Sequence, residues 1–416
     1  MRVQPRNATL RIILKTRRWP RVFATAVCLS VFATTLAAQR APAAIKIGNT
    51  MPYSGAASSY GTIGRLEAAY FRMLNEQGGI NGRPVEFISL DDGYNPSKTV
   101  EQTRRLIESD DVLLMFSAFG TATISAVQKY LAEQKVPQLF FVTGASKWED
   151  RGQHGWMIGW QPTYRREGLI FANYLLQTRP VAKVGVLYQN DDYGKDYLQG
   201  LKDGLGEKAA TMIVSELSYQ VSDPTIDSQI VALKASGADV FFDVTTAKFA
   251  AQAIRKADEI GWKPLHFLNS IASAVGSVLQ PAGLDKSEGV ISAAYIKDPT
   301  DPQFNDDRGV RDYLAFMRRY FPEGDVANVQ HATAYSRAMT LVAVLRQCQG
   351  DLSRENILRQ AGALDLALPM LLPGIRIRTA DDRPSAITQM QLQRFNGRSW
   401  ERFGDLIEIE HKASAR

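Results

Sequence analysis

From Ile45 onward, short runs of β-branched and aromatic residues alternate with longer stretches in which apolar residues recur every three or four positions. The short runs fit buried strands and the longer stretches amphipathic helices, and their regular alternation marks βαβ units around a parallel sheet. The pattern predicts strands at 45–49, 85–90, 112–116 and 139–142, with helices between them. Asn95-Pro96 supplies an N-cap followed by proline at the first helical position, which starts a helix running to about Glu108. Gly78-Gly79 ends the helix before it. A second series of similar rhythm follows, with strands near 183–188, 212–219, 240–243 and 266–268. After Tyr295 come Asp298-Pro299 and Asp301-Pro302, helices over 309–320 and 331–348, and a closing hairpin of 390–395 and 400–403 turned on Asn396-Gly397. No solenoid-length repeat interrupts the series. The chain reads as two similar α/β lobes.

Length agrees: 416 residues, 45% of them hydrophobic, exceed the roughly 100 to 200 of one ordinary domain. The formal charge of +6 raises the question of a polyanionic partner, and its position along the chain answers it. Arg2, Arg6, Arg11, Lys15, Arg17, Arg18, Arg21 and Arg40 stand in the first 40 residues with no acid, leaving 41 bases against 43 acids in the rest. Nucleic acid is therefore not an expected partner. The same front has the zones of a secretory signal: the Arg-rich start, the apolar run 22–38, and the small residues Ala41-Pro42-Ala43. A signal peptide over residues 1–43 is expected, cut near Ala38 or Ala43, which places the mature chain in the periplasm. A membrane anchor is the competing reading, but the run holds several Thr and Ala and falls short of the ~20 strongly apolar residues of a span. Thr16-Arg17-Arg18 hints at a twin-arginine leader, yet Trp19-Pro20 continues it poorly, so the general secretory route is expected. Cys28 lacks the small residue a lipoprotein needs at position 27. Once the leader is removed only Cys348 remains, so no internal disulfide can form.

Two strand-to-helix turns carry the candidate chemistry. Ser117 to Thr123 follows one predicted strand and opens a helix; Thr143-Gly144-Ala145-Ser146 follows the next. In open α/β sheets ligands bind at the carboxyl ends of strands. Small residues there expose backbone N–H groups, and a helix N-terminus adds partial positive charge, which suits a carboxylate. Each charge-assisted hydrogen bond contributes roughly 1.5–3 kcal/mol. Ordinary turns and N-caps share this spacing, and spacing alone does not choose between the two.

With those turns stand Ile45-Lys46-Ile47-Gly48, Ser54-Gly55, Tyr60-Gly61, Asn75-Glu76-Gln77-Gly78-Gly79-Ile80-Asn81-Gly82-Arg83, Asp91-Asp92 with Asn95-Pro96, and Asp191-Asp192-Tyr193-Gly194. In this order and spacing the chain resembles the periplasmic solute-binding proteins of the leucine/isoleucine/valine-binding family over almost its whole mature length. Val136-Pro137-Gln138-Leu139-Phe140, Gly159-Trp160-Gln161-Pro162 and Leu368-Pro369-Met370-Leu371-Leu372-Pro373-Gly374 resemble one subgroup of it. The resemblance implies a type I periplasmic binding fold, two doubly wound α/β lobes joined by a three-crossing hinge near Gln161, Tyr295 and Gln389. Lobe 1 would hold 44–161 and 295–388, lobe 2 would hold 162–294 and 389–410, and 411–416 would be a tail. It implies a ligand in the cleft, with the carboxylate at Gly120, Thr121, Gly144, Ala145 and Ser146. Tyr60 and Phe119 would wall lobe 1, while Tyr193 and Thr246 would close from lobe 2. The implied partners are the membrane permease and ATPase of an ABC importer, with the receptor itself a monomer.

One stretch departs from the family. Its amino-acid binders place an acid after a lobe-two strand to pair with the ligand's ammonium, and here Leu268-Asn269-Ser270-Ile271-Ala272 has none. A buried ammonium without a counter-charge is costly. The expected ligand is therefore an amine-free aromatic or aliphatic carboxylate touching Phe119, Tyr193 and Ile271, with a branched-chain amino acid as the alternative. Trp148 and Trp160 lie near the expected cleft; Trp160 is a candidate contact, although such tryptophans more often serve packing. Asp91-Asp92 and Asp191-Asp192 suit loop and cap duty better than paired catalysis. The four histidines, His154, His266, His331 and His411, are scattered, and no HExxH, GxSxG, P-loop or GxGxxG motif is present, so no metal, cofactor or catalysis is expected. Of the two functional classes left, transport is favoured over a sensor ectodomain, because no membrane span or output domain is read after Phe403.

Overall fold

The computed structural model describes residues 43–150, 152–380 and 385–408. The predicted leader, up to residue 42, and the tail 411–416 lie outside them. Two separate sheets organise the chain. The first contains β1 (Ile45–Met51), β2 (Val85–Asp91), β3 (Leu114–Phe116), β4 (Gln138–Phe141) and β5 (Met157–Gly159), in the order β2-β1-β3-β4-β5 and parallel throughout. Its central strands β3 and β4 are wholly buried, as strands covered on both faces must be. The crossover helices are α1 (Thr62–Glu76), α2 (Pro96–Glu108) and α3 (Thr121–Glu133). α2 starts where the sequence places it: Asn95 Oδ1 accepts the Ser97 and Lys98 N–H groups, with Pro96 at the first helical position.

The chain then passes through α4 (Tyr164–Thr178) into a second sheet of order β14-β13-β10-β9-β8-β6-β7. Its parallel part comprises β6 (Val184–Gln189), β7 (Ile213–Tyr219), β8 (Val240–Val244), β9 (Leu265–Leu268) and β10 (Ile291–Ala294). Between these strands run α5 (Asp192–Leu205), the single turn α6 (Ala209–Met212), α7 (Asp227–Ala235), α8 (Ala247–Glu259) and the short α9 (Gln280–Ala282). After β10 the chain returns to the first lobe as α10 (Arg308–Tyr320), α11 (Val329–Gln347) and α12 (Arg354–Ala361), with α10 and α11 packed on α1. A two-strand ladder of β11 (Asp365–Leu366) and β12 (Ile377–Arg378) comes next. The chain re-enters the second sheet as the antiparallel hairpin β13 (Gln389–Phe395) and β14 (Trp400–Glu408). The sequence pattern shows neither β5, only three residues long, nor β10, whose Ile-Ser-Ala-Ala is too small in side chain to stand out. Asn396-Gly397 begins a four-residue loop in which Asn396 Oδ1 accepts the Arg398 and Ser399 N–H groups and Gly397 takes φ 86°.

Close contact between α4 and α5 positions the lobe 2 side chains that reach lobe 1. A Cβ on Gly168 would lie 2.6 Å from the Tyr197 carbonyl oxygen, and one on Gly200 would lie 2.2 Å from that of Arg165. Glycine is therefore required at the crossing, and the close approach lets Tyr164 stack on Tyr197 at 4.7 Å. On the lobe 1 side, α1 and α11 enclose a charged pair, Glu67 and Arg337, 3.7 Å apart and both fully buried. Ser117 donates to Glu67 at 2.6 Å, and the Arg337 guanidinium lies 5.2 Å from the Trp160 ring centre. Burial pushes Glu67 up to about 8, with Arg337 and Ser117 pulling the other way. Removing either side chain leaves the other buried without its partner. Arg337→Met is expected to lower the unfolding free energy by about 3–5 kcal/mol, and Arg337→Met with Glu67→Gln to recover part of that loss, read from urea midpoints. Equal midpoints for the single and double variants would mean that the pair does not couple.

Candidate functional site

The carboxyl ends of β1, β3 and β4 face those of β6, β8 and β9, and the two lobes meet there through their own side chains. Each lobe 1 turn is preceded by a non-glycine residue in the left-handed region, Ser117 at φ 55° before one and Phe140 at φ 53° before the other. Such conformations are costly and collect at binding sites. At Phe140 the β4–β5 register also shifts, and after a parallel bridge from Val142 to Phe119 the chain leaves the sheet at Thr143 to Ser146. Gly120 takes φ 101°, and a Cβ there would fall 2.3 Å from the Tyr94 ring, so this turn admits no other residue without movement. The Gly120 N–H is engaged by the Val142 carbonyl at 3.2 Å.

The remaining donors converge. The Thr121 and Thr143 hydroxyls are 2.7 Å apart, one donating to the other, and the Tyr164 phenol from α4 lies beside them and the Gly144 N–H, close enough that all three favour its ionised form. Tyr60 crosses the cleft: its phenol accepts the Ala247 N–H at the start of α8 at 3.0 Å and donates to the Ile271 carbonyl at 3.3 Å. Gln330 of α11 donates to the same carbonyl at 3.1 Å. Tyr60 stacks on Phe119 at 4.6 Å, and Tyr94 stands 5.6 Å from Phe119 and receives the Gln189 side-chain N–H at 3.3 Å. In lobe 2, Tyr193 donates to the Thr245 carbonyl, and Tyr219 donates to Gln189 and accepts the Thr246 N–H. Burial pushes the phenols of Tyr60, Tyr94, Tyr164, Tyr193 and Tyr219 far above their ordinary value, so all five stay protonated at any physiological pH.

Most of the residues named from sequence thus meet at one place: Tyr60, Phe119, Gly120, Thr121, Gly144, Tyr193, Thr246 and Ile271. The Ala145 N–H is engaged by Thr143 Oγ1 at 3.2 Å. Ser146 gives both its N–H and its hydroxyl to Asp196 of α5, at 2.8 and 2.5 Å. Trp160 lies apart from the cluster, with no exposed surface, its N–H on Thr340 and its ring beside Tyr295 and Arg337 in the lobe 1 interior. Trp148 likewise packs on Phe141 and donates to Gln128. Asp91 accepts the Tyr53 N–H, Asp92 accepts the Tyr94 N–H and the Thr99 hydroxyl, and Asp191 caps α5.

The stretch after β9 lacks an acid of its own but receives one. Glu167 of α4 accepts the Ser270 N–H and hydroxyl, each at 2.6 Å, and the Tyr197 hydroxyl at 2.8 Å. Sequence reasoning did not find Glu167, Tyr94, Tyr164, Tyr219 or Asp196. The only signal was the spacing of Tyr164 and Glu167, which puts both on one face of a helix whose partner the sequence does not show.

A void of about 20 Å³ beside the hinge is lined by Thr143, Gly144, Glu149 and Gln161, room for about one water, and Gln161 Oε1 there has no partner. A larger cavity of about 290 Å³ opens at Trp262 and His266, at the amino ends of β9 and β10. That is the wrong edge for the ligand of an open α/β sheet, and its Lys263 and Lys286 are engaged with Asp258. Among the described residues no cluster of metal-ligating side chains occurs, and no helix is long and apolar enough to cross a membrane.

Two α/β lobes meeting across a three-segment hinge, with strand-end donors facing into the cleft, define a solute-binding clamp. The chain belongs to the periplasmic binding protein family, whose profile it matches over residues 44–399. It is 26% identical over 340 residues to a Leu/Ile/Val-binding protein homolog 7 of Brucella suis, covering 78% of this chain and 82% of that one. Its fold matches a branched chain amino acid ABC transporter protein of Thermus thermophilus with bound valine, at TM-score 0.78 and 14% identity, covering 88% and 96% of the two chains. It also matches a fatty acid ABC transporter substrate-binding protein of Thermomonospora curvata, at TM-score 0.74 and 20% identity, covering 88% and 93%.

Burial pushes Glu167 from 4.5 up to about 7, against the bonds from Ser270 and Tyr197. A folded pKa above the unfolded one means that protonation favours the folded chain. That gain is complete below the unfolded pKa and is lost as pH rises through about 7. Against wild type, Glu167→Gln should therefore gain melting temperature between about pH 5 and about pH 8, by an amount on the order of 3 kcal/mol in stability. A difference that stays flat across that range would show that Glu167 does not titrate there.

Proposed function

We propose that this protein is the periplasmic solute-binding component of an ABC importer, capturing a small aromatic or aliphatic carboxylate between its lobes and presenting it to a membrane permease driven by an ATPase. The grouping of the Thr121 hydroxyl, the Thr143 hydroxyl and the Gly144 N–H at the two adjacent lobe 1 turns, beside the Tyr164 phenol, carries this reading. Two hydroxyls and a backbone N–H on adjacent turns, with no side-chain cation among them, suit an ionised carboxylate, toward whose oxygens the hydroxyls can turn their protons. A ligand carboxylate would take the place of the Tyr164 phenol. The rings of Tyr60, Phe119 and Tyr193 and the side chain of Ile271 offer apolar contact to the remainder of such a solute. Valine, leucine, isoleucine and a fatty acid, the solutes in the names of the related proteins, share a carboxylate and little else. Capture by hinge closure requires contact with both lobes and no bond making, in keeping with a receptor rather than an enzyme.

A second reading, an α-amino acid ligand, is supported by Glu167 at Ser270, where an ammonium could find a carboxylate. Mass spectrometry of the ligand released from purified protein, followed by thermal-shift titration, separates the two. Aromatic or aliphatic acids should raise the melting temperature with concentration, leucine and valine should not, and Thr143→Val should weaken acid binding about tenfold. Stabilisation by leucine alone, abolished in Glu167→Gln, would overturn the first reading in favour of the second.

A further inference from the structure

The short turn Ser146–Glu149, which follows β4 in lobe 1, reaches the other lobe with three of its four residues. Ser146 gives its N–H and hydroxyl to the Asp196 carboxylate, Lys147 pairs with Asp192 at 2.7 Å, and Glu149 bonds the Arg166 guanidinium of α4. The fourth, Trp148, is 4% exposed and anchors the turn to lobe 1 through Phe141 and Gln128. Asp192 and Asp196 are four residues apart on α5 and so lie on one face, which opposes the turn. Lys147 is held in place from its own lobe as well, by Ser125 of α3 at 2.7 Å.

Ser146 is the residue at which the family resemblance seats part of a ligand's carboxylate, and the carboxylate found there belongs to the protein. We propose that Asp196 acts as a built-in anion for the lobe 1 turn. It latches the clamp shut without solute, and it confines a ligand's acid group to the Thr121, Thr143 and Gly144 donors. The latch joins the two lobes directly after the turn that carries two of those donors, so its bonds bring lobe 1 and α5 together across the cleft. Closure thus draws on a contact that is independent of the solute, and the ligand is left to stabilise an equilibrium already tilted toward the shut form.

The test needs no ligand and does not depend on which solute the clamp takes. Mature protein in a Cys348→Ala background is unfolded, freed of small molecules and refolded. Spin labels at Ala126→Cys on α3 and Gln199→Cys on α5, both exposed positions, then report the interlobe distance by pulsed electron resonance. Wild type should show a substantial short-distance population. Asp196→Ala should lower the ratio of short to long by about tenfold or more, and Ser146→Ala, which removes one of the two donors, should lower it by less. Melting temperature and circular dichroism confirm that each variant is folded. If Asp196→Ala does not refold, Ser146→Ala alone decides. A ligand-free wild type at the long distance only, or a ratio within twofold of wild type in every folded variant, would overturn the proposal.

Discussion

Parallel strand pairing forces every strand-to-helix turn of a lobe to the same edge, and this molecule turns the two edges toward each other. Each edge is rich in N–H groups, hydroxyls and helix N-termini, and closing the lobes removes them from water. Buried polar groups need partners, so the composition of the cleft follows from a requirement of satisfaction. Tyr60 illustrates it. Its ring covers Phe119 while its one oxygen serves both an N–H at the start of α8 and the Ile271 carbonyl. A phenol suits this position because it presents an apolar body and a tip that both donates and accepts.

The same requirement accounts for the carboxylates. Glu167, Asp196 and Glu149 are each held by donors from a different segment from their own; Asp196 and Glu149 bridge the two lobes, and Glu167 ties α4 to α5 and to the stretch after β9 within lobe 2. Glu67 and Arg337 are the inner counterpart, a buried pair beside the Trp160 ring in the lobe 1 interior. Buried pairs are weak sources of stability but strong determinants of which arrangement is allowed, since any other leaves a charge without a partner. The family membership and the fold place such a network in a clamp, and the donors around Tyr164 give the clamp its proposed taste for a carboxylate.

Much of the fold was legible in the chain. Strand periodicity located nearly all the parallel strands, and Asn95-Pro96 started α2 as predicted because a cap and a proline act on their own backbone. β5 and β10 were not legible, since three residues or a run of small side chains leave no periodic trace. The turn residues Gly120, Thr121, Thr143 and Gly144 could be named because small residues at a strand end have local meaning. Trp160 was named as a ligand contact near the expected cleft and lies in the lobe 1 interior instead, its ring beside the buried Arg337 guanidinium and its N–H on Thr340.

The sequence by itself determined the two α/β lobes, the edge that carries the candidate site, and the small and hydroxyl residues on that edge, because patterning and turn chemistry act over a few residues. Only the tertiary structure decided what those donors face. Tyr164 and Asp196 reach the lobe 1 turns because α4 and α5 pack at glycine distance on the other side of a hinge. Glu167 supplies the acid that 268–272 lacks across about a hundred residues of chain. Pairings at that separation are set by how helices pack on a sheet, and no local pattern along the chain records them.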